Sequence, residues 1–208
     1  MGTGGSSRKI RRQVPPIAEI DNVVTVCTGW AGLERFLEAK GEAKNPRVTY
    51  FNGVLQLMSP STDHEAISTQ VGFLLELWAF ATGTRLKGYG SWTIKVRAED
   101  AAIEPDECYV VNRSRPGKRP DLALEVNWSR SGLNKLEVYH PLGVPEVWMW
   151  EKGQLQVWVR RPKGYVRAAR SHLLPALDLK LLSKLSLLND SHRASTALLK
   201  SLGLKLAR

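Results

Sequence analysis

Residues 105–126, PDECYVVNRSRPGKRPDLALEV, decide the fold, because they place two apolar segments on either side of a basic loop. The segments at 107–112 and 122–126 are short and rich in residues that favour strands. The second of them, LALEV, is almost continuously apolar, which is typical of a strand covered on both faces of its sheet. Residues 113–120 contain two prolines and a glycine, so they predict the loop between the strands.

The segments on the N-terminal side predict two helices, a hairpin and two further strands. Asn52-Gly53 stands between two alternating segments and indicates a hairpin turn. Glu65 follows Thr62 by three residues, which is the spacing of a capping box at a helix start. In chain order we expect a helix at 29–40, a hairpin at 47–58, a helix at 62–82, and strands at 85–89 and 92–97.

The C-terminal part predicts a helix at 133–140, three strands at 147–150, 155–160 and 165–168, and a last helix at 191–202. This order is typical of an α/β fold of the α+β kind, with a mixed sheet flanked by helices rather than a regular βαβ repeat. We expect one domain over residues 15–208, preceded by a flexible basic arm at 1–14. The glycine-rich loops that bind nucleotides are absent from the sequence.

Charge and composition narrow the function classes. The net charge is +10, and residues 152–208 alone contain 12 basic and two acidic residues. Basic ends favour a polyanionic partner such as DNA, or they simply solvate exposed strands and a terminal helix. No apolar run is long enough to span a bilayer, so we expect no membrane association and a cytoplasmic protein. Cys27 and Cys108 stand apart from other ligand residues and predict buried free thiols.

Two carboxylates lie on or beside the apolar strands. Asp106 enters the first strand, and Glu125 stands between Leu124 and Val126 in the second. An unpaired charge there would be costly to bury, so a metal ion or a basic side chain should compensate it. Asp121 is four residues before Glu125, which places both on one face of a strand. Lys135 follows ten residues after Glu125, on the next predicted helix.

Carboxylates gathered around a divalent ion form a hard-oxygen site suited to Mg²⁺ or Mn²⁺. Such an ion activates water and neutralises charge on a scissile phosphate, while a lysine stabilises the transition state. The alternative is structural: Glu125 could pair with Arg97 or Lys135 without any metal.

Two residues near the start of the second helix admit similar alternatives. Glu65 either caps the helix or supports a metal. His64 is either a ligand or general base, or a hydrogen-bonding residue. The alternating tryptophans at 148, 150 and 158 are typical of core and cross-strand packing, although they could also offer a surface for stacking bases.

Several motifs recur in the order of a known family. They are Ser59-Pro60 with His64, Pro105-Asp106, the PDLALEV segment at 120–126, Lys135 with Tyr139, and GVPEVW at 143–148. In this ordered set the chain resembles the Uma-two restriction endonuclease family of bacteria, within the PD-(D/E)XK nuclease superfamily. The resemblance covers roughly residues 50–166.

The resemblance implies a restriction-endonuclease-like αβββαβ core, with an extra N-terminal hairpin and a C-terminal β-meander. It implies that Asp106 and Glu125 hold the metal, with Glu65 or His64 in support. Asn127 stands where the superfamily has its lysine, and the family pattern moves that role to Lys135. Asp121, Asn127 and Tyr139 are further candidates for supporting the site.

The resulting hypothesis is a Mg²⁺-dependent (or Mn²⁺-dependent) endonuclease that hydrolyses DNA phosphodiester bonds, with Asp106, Glu125, Lys135 and Glu65 as catalytic residues. The basic loop would contact DNA through Arg113, Arg115, Lys118 and Arg119. Cutting both strands would favour a homodimer with two sites. The alternatives are a nuclease fold that binds nucleic acid without cleaving it, and one that binds an acidic protein partner.

Overall fold

Two sheets and five helices make up the computed structural model, which describes residues 20–127 and 132–204. The predicted arm at 1–14 lies outside these residues. The helices are α1 (Trp30–Lys40), α2 (Thr62–Thr82), α3 (Lys135–Leu142), α4 (Leu179–Ser186) and α5 (Ser191–Ser201). The strands are β1 (Asn22–Cys27), β2 (Arg47–Phe51), β3 (Val54–Ser59), β4 (Leu86–Gly88), β5 (Ile94–Val96), β6 (Ala101–Ile103), β7 (Glu107–Val111), β8 (Leu122–Val126), β9 (Glu146–Glu151), β10 (Gln154–Arg161) and β11 (Gly164–Ala168).

The larger sheet has six strands in the order β11-β10-β9-β8-β7-β4. Strands β4, β7 and β8 pair antiparallel, whereas β8 and β9 are parallel and are connected through α3. A parallel pair requires such a crossover, which explains why a helix separates these two strands. The succession α2, β4, β7, β8, α3, β9 is the predicted αβββαβ core. The predicted C-terminal meander is confirmed as β9, β10 and β11, which extend this sheet.

The smaller sheet has five strands in the order β1-β3-β2-β6-β5. Its centre is the predicted hairpin of β2 and β3, which turns at Asn52-Gly53 with positive φ at both residues. Such a turn matches the twist of the strands it joins. One side of this sheet packs on α1 through Trp30, Leu33 and Tyr50.

The main core lies between the six-stranded sheet and helices α2, α4 and α5. Helix α2 contributes an apolar stripe, and β8 and β9 present Leu124, Trp148 and Trp150 to it. The opposite face of the same sheet packs on α3, where Ala123, Val138 and Val147 are fully buried. Strand β8 is therefore covered on both faces, as its almost continuously apolar sequence predicts.

The structure corrects several expectations. Strands β1 and β6 and helix α4 were not predicted; β6 has only three residues and depends on its pairing with β2 and β5. The predicted Thr62–Glu65 capping box is wrong: Ser61 is the N-cap and accepts from the His64 amide. Both cysteines are free, but Cys27 is exposed at the end of an edge strand, and only Cys108 is buried.

Across the described ranges, 20–127 and 132–204, no helix combines the length and the apolar character that crossing a membrane would require.

Candidate functional site

Asp106 and Glu125 lie side by side because β7 and β8 are antiparallel. Glu107 pairs with Leu124, so the start of β7 lies beside the end of β8. The Val126 amide donates a hydrogen bond of 2.7 Å to Asp106 Oδ2 and fixes this junction. Both side chains have 0% exposure, so two carboxylates are held together away from water. Placing two buried charges together needs strong compensation.

Cationic groups surround Asp106. His64 Nε2 lies 2.9 Å from Oδ2, and Arg47 Nε lies 3.0 Å from Oδ1. Burial alone would raise the pKa of Asp106, but the charges of Lys135, His64 and Arg47 outweigh burial and hold the pKa well below its usual range. Asp106 is therefore a carboxylate, not a carboxylic acid.

His64 links Asp106 to a second carboxylate. Its Nδ1 lies 2.9 Å from Asp21 Oδ2, and Asp21 Oδ1 accepts from the Ser61 amide at 2.8 Å. Burial would lower the pKa of His64, but Asp106 and Asp21 raise it above its ordinary value. The imidazole thus lies charged between two carboxylates, which makes it an orienting and compensating group rather than a free base.

Glu125 has two donors of its own, both from α3. Lys135 Nζ lies 2.5 Å from Oε2, and the Tyr139 hydroxyl donates to Oε1. One helical turn separates Lys135 from Tyr139, so both project from one face of α3 onto the carboxylate. Burial raises the pKa of Glu125, Lys135 opposes that shift, and Asp106 adds to it, so the pKa stays above its ordinary value. Burial would lower the pKa of Lys135, but Glu125 and Asp106 raise it, so this lysine keeps its charge.

Arg47 connects the cluster to Glu65. The guanidinium Nη2 donates to Glu65 Oε1 at 2.8 Å, while Nη1 contacts the carbonyls of Pro105 and Asp106 at 3.4 and 3.3 Å. Glu65 is 41% exposed at its side chain. Instead of capping α2, Glu65 neutralises Arg47 at the edge of the cluster.

A cleft of about 410 Å³ lies over this cluster, between the two sheets and the start of α3. Arg47, His64 and Lys135 form part of its wall, together with Asn127. The smaller sheet contributes Gln56 and Met58, and the larger sheet contributes Met149, Gln156 and Trp158. A small ligand in the cleft would contact the residues that bind Asp106 and Glu125.

The donor set suits Mg²⁺, which takes oxygen ligands and is commonly held by one or two carboxylates plus water and substrate oxygens. Within the described residues, Asp106 Oδ1 and Arg47 Nε are buried without a hydrogen bond, although they lie at ion-pair distance. Asp106 Oδ1 is thus a buried acceptor whose partner is the Arg47 guanidinium at ion-pair distance. No group of three His, Cys, Asp or Glu residues in ranges 20–127 and 132–204 is arranged to hold a metal. A cation here would therefore depend on two protein carboxylates.

The structure brings most predicted site residues together. Asp106, Glu125, Lys135, His64, Glu65 and Tyr139 form one cluster, and Asn127 lines the cleft above it. Of the two partners considered for Glu125, Lys135 is the one observed, not Arg97. Trp148 and Trp150 are buried in the core as expected, whereas Trp158 lines the cleft.

Asp121 does not join the cluster, because it precedes β8 whereas Glu125 is near the end of that strand. It accepts from the Val111 amide at 2.9 Å and from the Arg113 guanidinium. Asp121 therefore anchors the basic loop. The proposed DNA contacts Arg113, Arg115, Lys118 and Arg119 belong to that loop, at the opposite end of β8 from the cluster.

Sequence reasoning missed Arg47 and Asp21. Both come from the smaller sheet or the segment entering it, far along the chain from β7 and β8. No local pattern marks an arginine at the start of a hairpin strand as buried. The one available signal was the need for cations beside two buried carboxylates, which Arg47 meets.

The chain is similar to a protein family and to solved structures of other proteins. A comparison with curated proteins finds no match. Among solved structures, one similar chain is described as "a putative nuclease belonging to DUF820 from Anabaena variabilis ATCC 29413". It has 14% identity and a TM-score of 0.47, with 80% of this chain and 98% of that chain covered.

A family model matches residues 33–189, which is well over half of the chain. The match includes α2, the αβββαβ core and every residue of the cluster except Asp21. The chain belongs to the Uma2 family, whose description is "Putative restriction endonuclease".

Proposed function

We propose that the protein is an endonuclease that hydrolyses phosphodiester bonds of DNA at the cluster of Asp106, Glu125 and Lys135, with Mg²⁺ or Mn²⁺ as cofactor. The observation that carries the proposal is the burial of two adjacent carboxylates beside a lysine and an arginine that line a cleft. Membership of a restriction endonuclease family supports it independently.

Asp106 and Glu125 would hold the divalent ion, with Glu65 at the edge of the cluster in support. When bound, such an ion supplies an activated water and neutralises charge on the scissile phosphate. The protein's own contribution is to fix the two carboxylates. Val126 and His64 orient Asp106, and Tyr139 orients Glu125. A rigid arrangement of this kind needs no reorganisation when the reaction takes place.

Lys135 has two tasks in this proposal. It opposes the rise in the pKa of Glu125 that burial causes, because its ammonium lies 2.5 Å from the carboxylate. Its side chain is 21% exposed and lines the cleft, so it can also donate to a phosphate oxygen. Arg47 offers a second positive charge to the same phosphate. Both charges would stabilise the extra negative charge of the pentavalent transition state.

Plasmid nicking tests the proposal. Asp106→Asn and Glu125→Gln keep the shape of each side chain and remove its charge, so each should lower Mg²⁺-dependent nicking by at least about a hundredfold. Glu38→Gln, on the exposed face of α1, is the matched control and should nick as the unaltered protein does. Unchanged nicking by both cluster variants would overturn the proposal.

A second candidate function is binding to nucleic acid or to a protein partner without cleavage. Asn127 favours it, because this residue stands at the position where the superfamily pattern has its lysine. The protein donors that already surround both carboxylates favour it as well. Salt-sensitive DNA binding with no cleavage in Mg²⁺ or Mn²⁺ would show that the protein binds nucleic acid without cleaving it. Absence of DNA binding at low salt would favour a protein partner instead.

A further inference from the structure

The shape of the cleft restricts the form in which DNA could reach the cluster. Both carboxylate side chains have 0% exposure and neither lines the cleft, so a phosphate in the cleft would contact Lys135 and Arg47, which do line it. The volume of about 410 Å³ is in the range of pockets for single small ligands. A duplex is far too large for it, since the major groove alone is about 12 Å wide. A phosphate can enter only on a strand that leaves the duplex.

The walls of the cleft carry side chains suited to a base. On the larger sheet, Glu125, Met149 and Gln156 form one cross-strand row, because Met149 pairs with both of the others. Neighbouring strands are about 4.8 Å apart, so Gln156 lies roughly 10 Å from Glu125 across the sheet. A nucleotide whose phosphate lies near Glu125 and Lys135 would extend its base along this row toward Gln156.

Met149 and Gln156, together with Trp158 and Glu151, form the side of the cleft that we call the base-facing wall. Trp158 is two residues after Gln156 on β10, so it projects from the same face, and it is only half-buried. Aromatic side chains bind single-stranded nucleic acid by stacking on its bases. Gln156 donates to Glu151 Oε2 at 3.1 Å, which holds its amide in place on the sheet. Amide and carboxylate groups can read the polar edge of a base.

The charges inside the cleft agree with one nucleotide. Three acids of the described part of the chain line it. Asp21 is neutralised by His64 and Glu104 by Lys40 at 2.6 Å, while Glu151 accepts from Gln156 on the base-facing wall. Glu104 also accepts from the Val48 amide and the Thr93 hydroxyl. Arg47, Lys135 and the charged His64 lie beside the buried carboxylates, so a phosphate would bind at that end and a base at the other.

We infer that the cleft receives one unstacked nucleotide of a DNA single strand, with its phosphate at Lys135 and Arg47 and its base against Met149, Gln156 and Trp158. This inference rests on the proposed function and specifies its substrate as single-stranded or locally opened DNA. A fully paired duplex is then a poor substrate until a nucleotide is extruded from it.

Binding and cleavage test the inference separately. Fluorescence anisotropy of the full chain in EDTA, which removes the metal that cleavage is proposed to need, compares a short labelled single strand with a blunt-ended duplex of this strand and its complement. We expect about tenfold tighter binding of the single strand, which is the scale of one stacked base. Equal or tighter binding of the duplex overturns the inference, and so does the absence of binding to either.

Cleavage of the same two substrates in Mg²⁺ tests the proposed function. Faster cleavage of the single strand supports both proposals, whereas cleavage of the duplex at an equal or higher rate overturns the inference alone. Selective binding of the single strand without cleavage of either substrate supports the inference and overturns the proposed function.

Variants of the base-facing wall give a second readout. Gln156→Ala and Trp158→Leu should each weaken single-strand binding by about fivefold or more, while Trp158→Phe should retain it because its ring still stacks. Gln154→Ala, on the same strand but exposed and outside the cleft lining, is the matched control and should bind as the unaltered protein does. Circular dichroism checks the fold of each variant. Unchanged binding by Gln156→Ala and by a folded Trp158→Leu overturns the inference.

Discussion

Replacing Lys135 by methionine tests how the buried carboxylates are stabilised. The substitution keeps the apolar stem of the side chain and removes the ammonium that lies 2.5 Å from Glu125 Oε2. Glu125 has 0% side-chain exposure and would keep the Tyr139 hydroxyl as a donor. Its charge would be left buried beside Asp106 without its nearest cation. The variant should therefore lose stability.

The size of that loss follows from burial. Breaking a buried ion pair by removing one partner costs about 3–5 kcal/mol. Lys135 retains 21% side-chain exposure, so some water can reach the site and the lower end applies. We expect the free energy of unfolding to fall by about 3 kcal/mol, which lowers the melting temperature of a chain of this size by about 6–12 °C.

A matched control and a double variant measure the contribution of the Lys135–Glu125 ion pair by itself. Lys95 lies 4.0 Å from Glu34 with both side chains 46% exposed, so Lys95→Met should cost less than about 1 kcal/mol. Adding Glu125→Gln to Lys135→Met removes the stranded charge and should restore at least about 2 kcal/mol. Urea unfolding in EDTA measures all four proteins. A loss below about 1 kcal/mol for Lys135→Met, or no recovery in the double variant, would refute the reasoning.

Three further predictions concern other parts of the fold. Glu146→Gln should cost about 2 kcal/mol in urea unfolding, because the buried Glu146 carboxylate accepts from Trp148, Ser171 and the His172 amide. Burial raises the pKa of the Cys108 thiol to about 12, so iodoacetamide at pH 9 should label the exposed Cys27 first and Cys108 only after unfolding. If the basic loop contacts phosphates, Arg115→Ala and Lys118→Ala should each lower the salt dependence of DNA binding by about one counterion.

Each of these predictions has a control and a contradicting result. Glu38→Gln, an exposed acid, should leave stability unchanged, and an equal loss there would contradict the role of Glu146. The raised pKa of Cys108 stabilises the folded chain below pH 9, and this stabilisation is lost as pH rises toward 12. Labelling of both thiols at one rate in the folded protein would contradict its burial. Lys44→Ala, at an exposed lysine outside both basic ends and outside the cleft lining, should not alter the salt slope. An unchanged slope in both loop variants would show that the loop does not contact DNA.

Much of the fold is predictable from local patterns. The hairpin at Asn52-Gly53 and the strand at Leu122–Val126 follow from turn chemistry and from apolar runs, and the structure confirms both. The three-residue strand Ala101–Ile103 has no such signal, because its existence depends on pairing with strands on either side. The N-cap of α2 is Ser61, one residue before the expected cap Thr62. Tertiary pairing and local competition between caps decide such details.

Some residues of the site are predictable from local sequence, and others are not. Asp106, Glu125 and Lys135 were found because two carboxylates interrupt apolar strands and a lysine follows on the next helix. Arg47 could not be assigned, since it reaches Asp106 only when the smaller sheet packs beside the larger one. Asp121 was expected at the site from its spacing to Glu125. The two residues lie at opposite ends of β8, however, and Asp121 forms an ion pair with Arg113 at the end away from the cluster. Side-chain period predicts which face a residue occupies, not its position along the strand.

A crystal structure of the protein grown with Mn²⁺ shows whether Asp106 and Glu125 hold a metal ion, because the anomalous signal locates the ion independently of activity. We expect one peak within ligand distance of carboxylate oxygens from both Asp106 and Glu125, and loss of that peak in Asp106→Asn. No peak at the cluster in unaltered protein, with Arg47 and Lys135 still bound to the two carboxylates, would contradict this expectation.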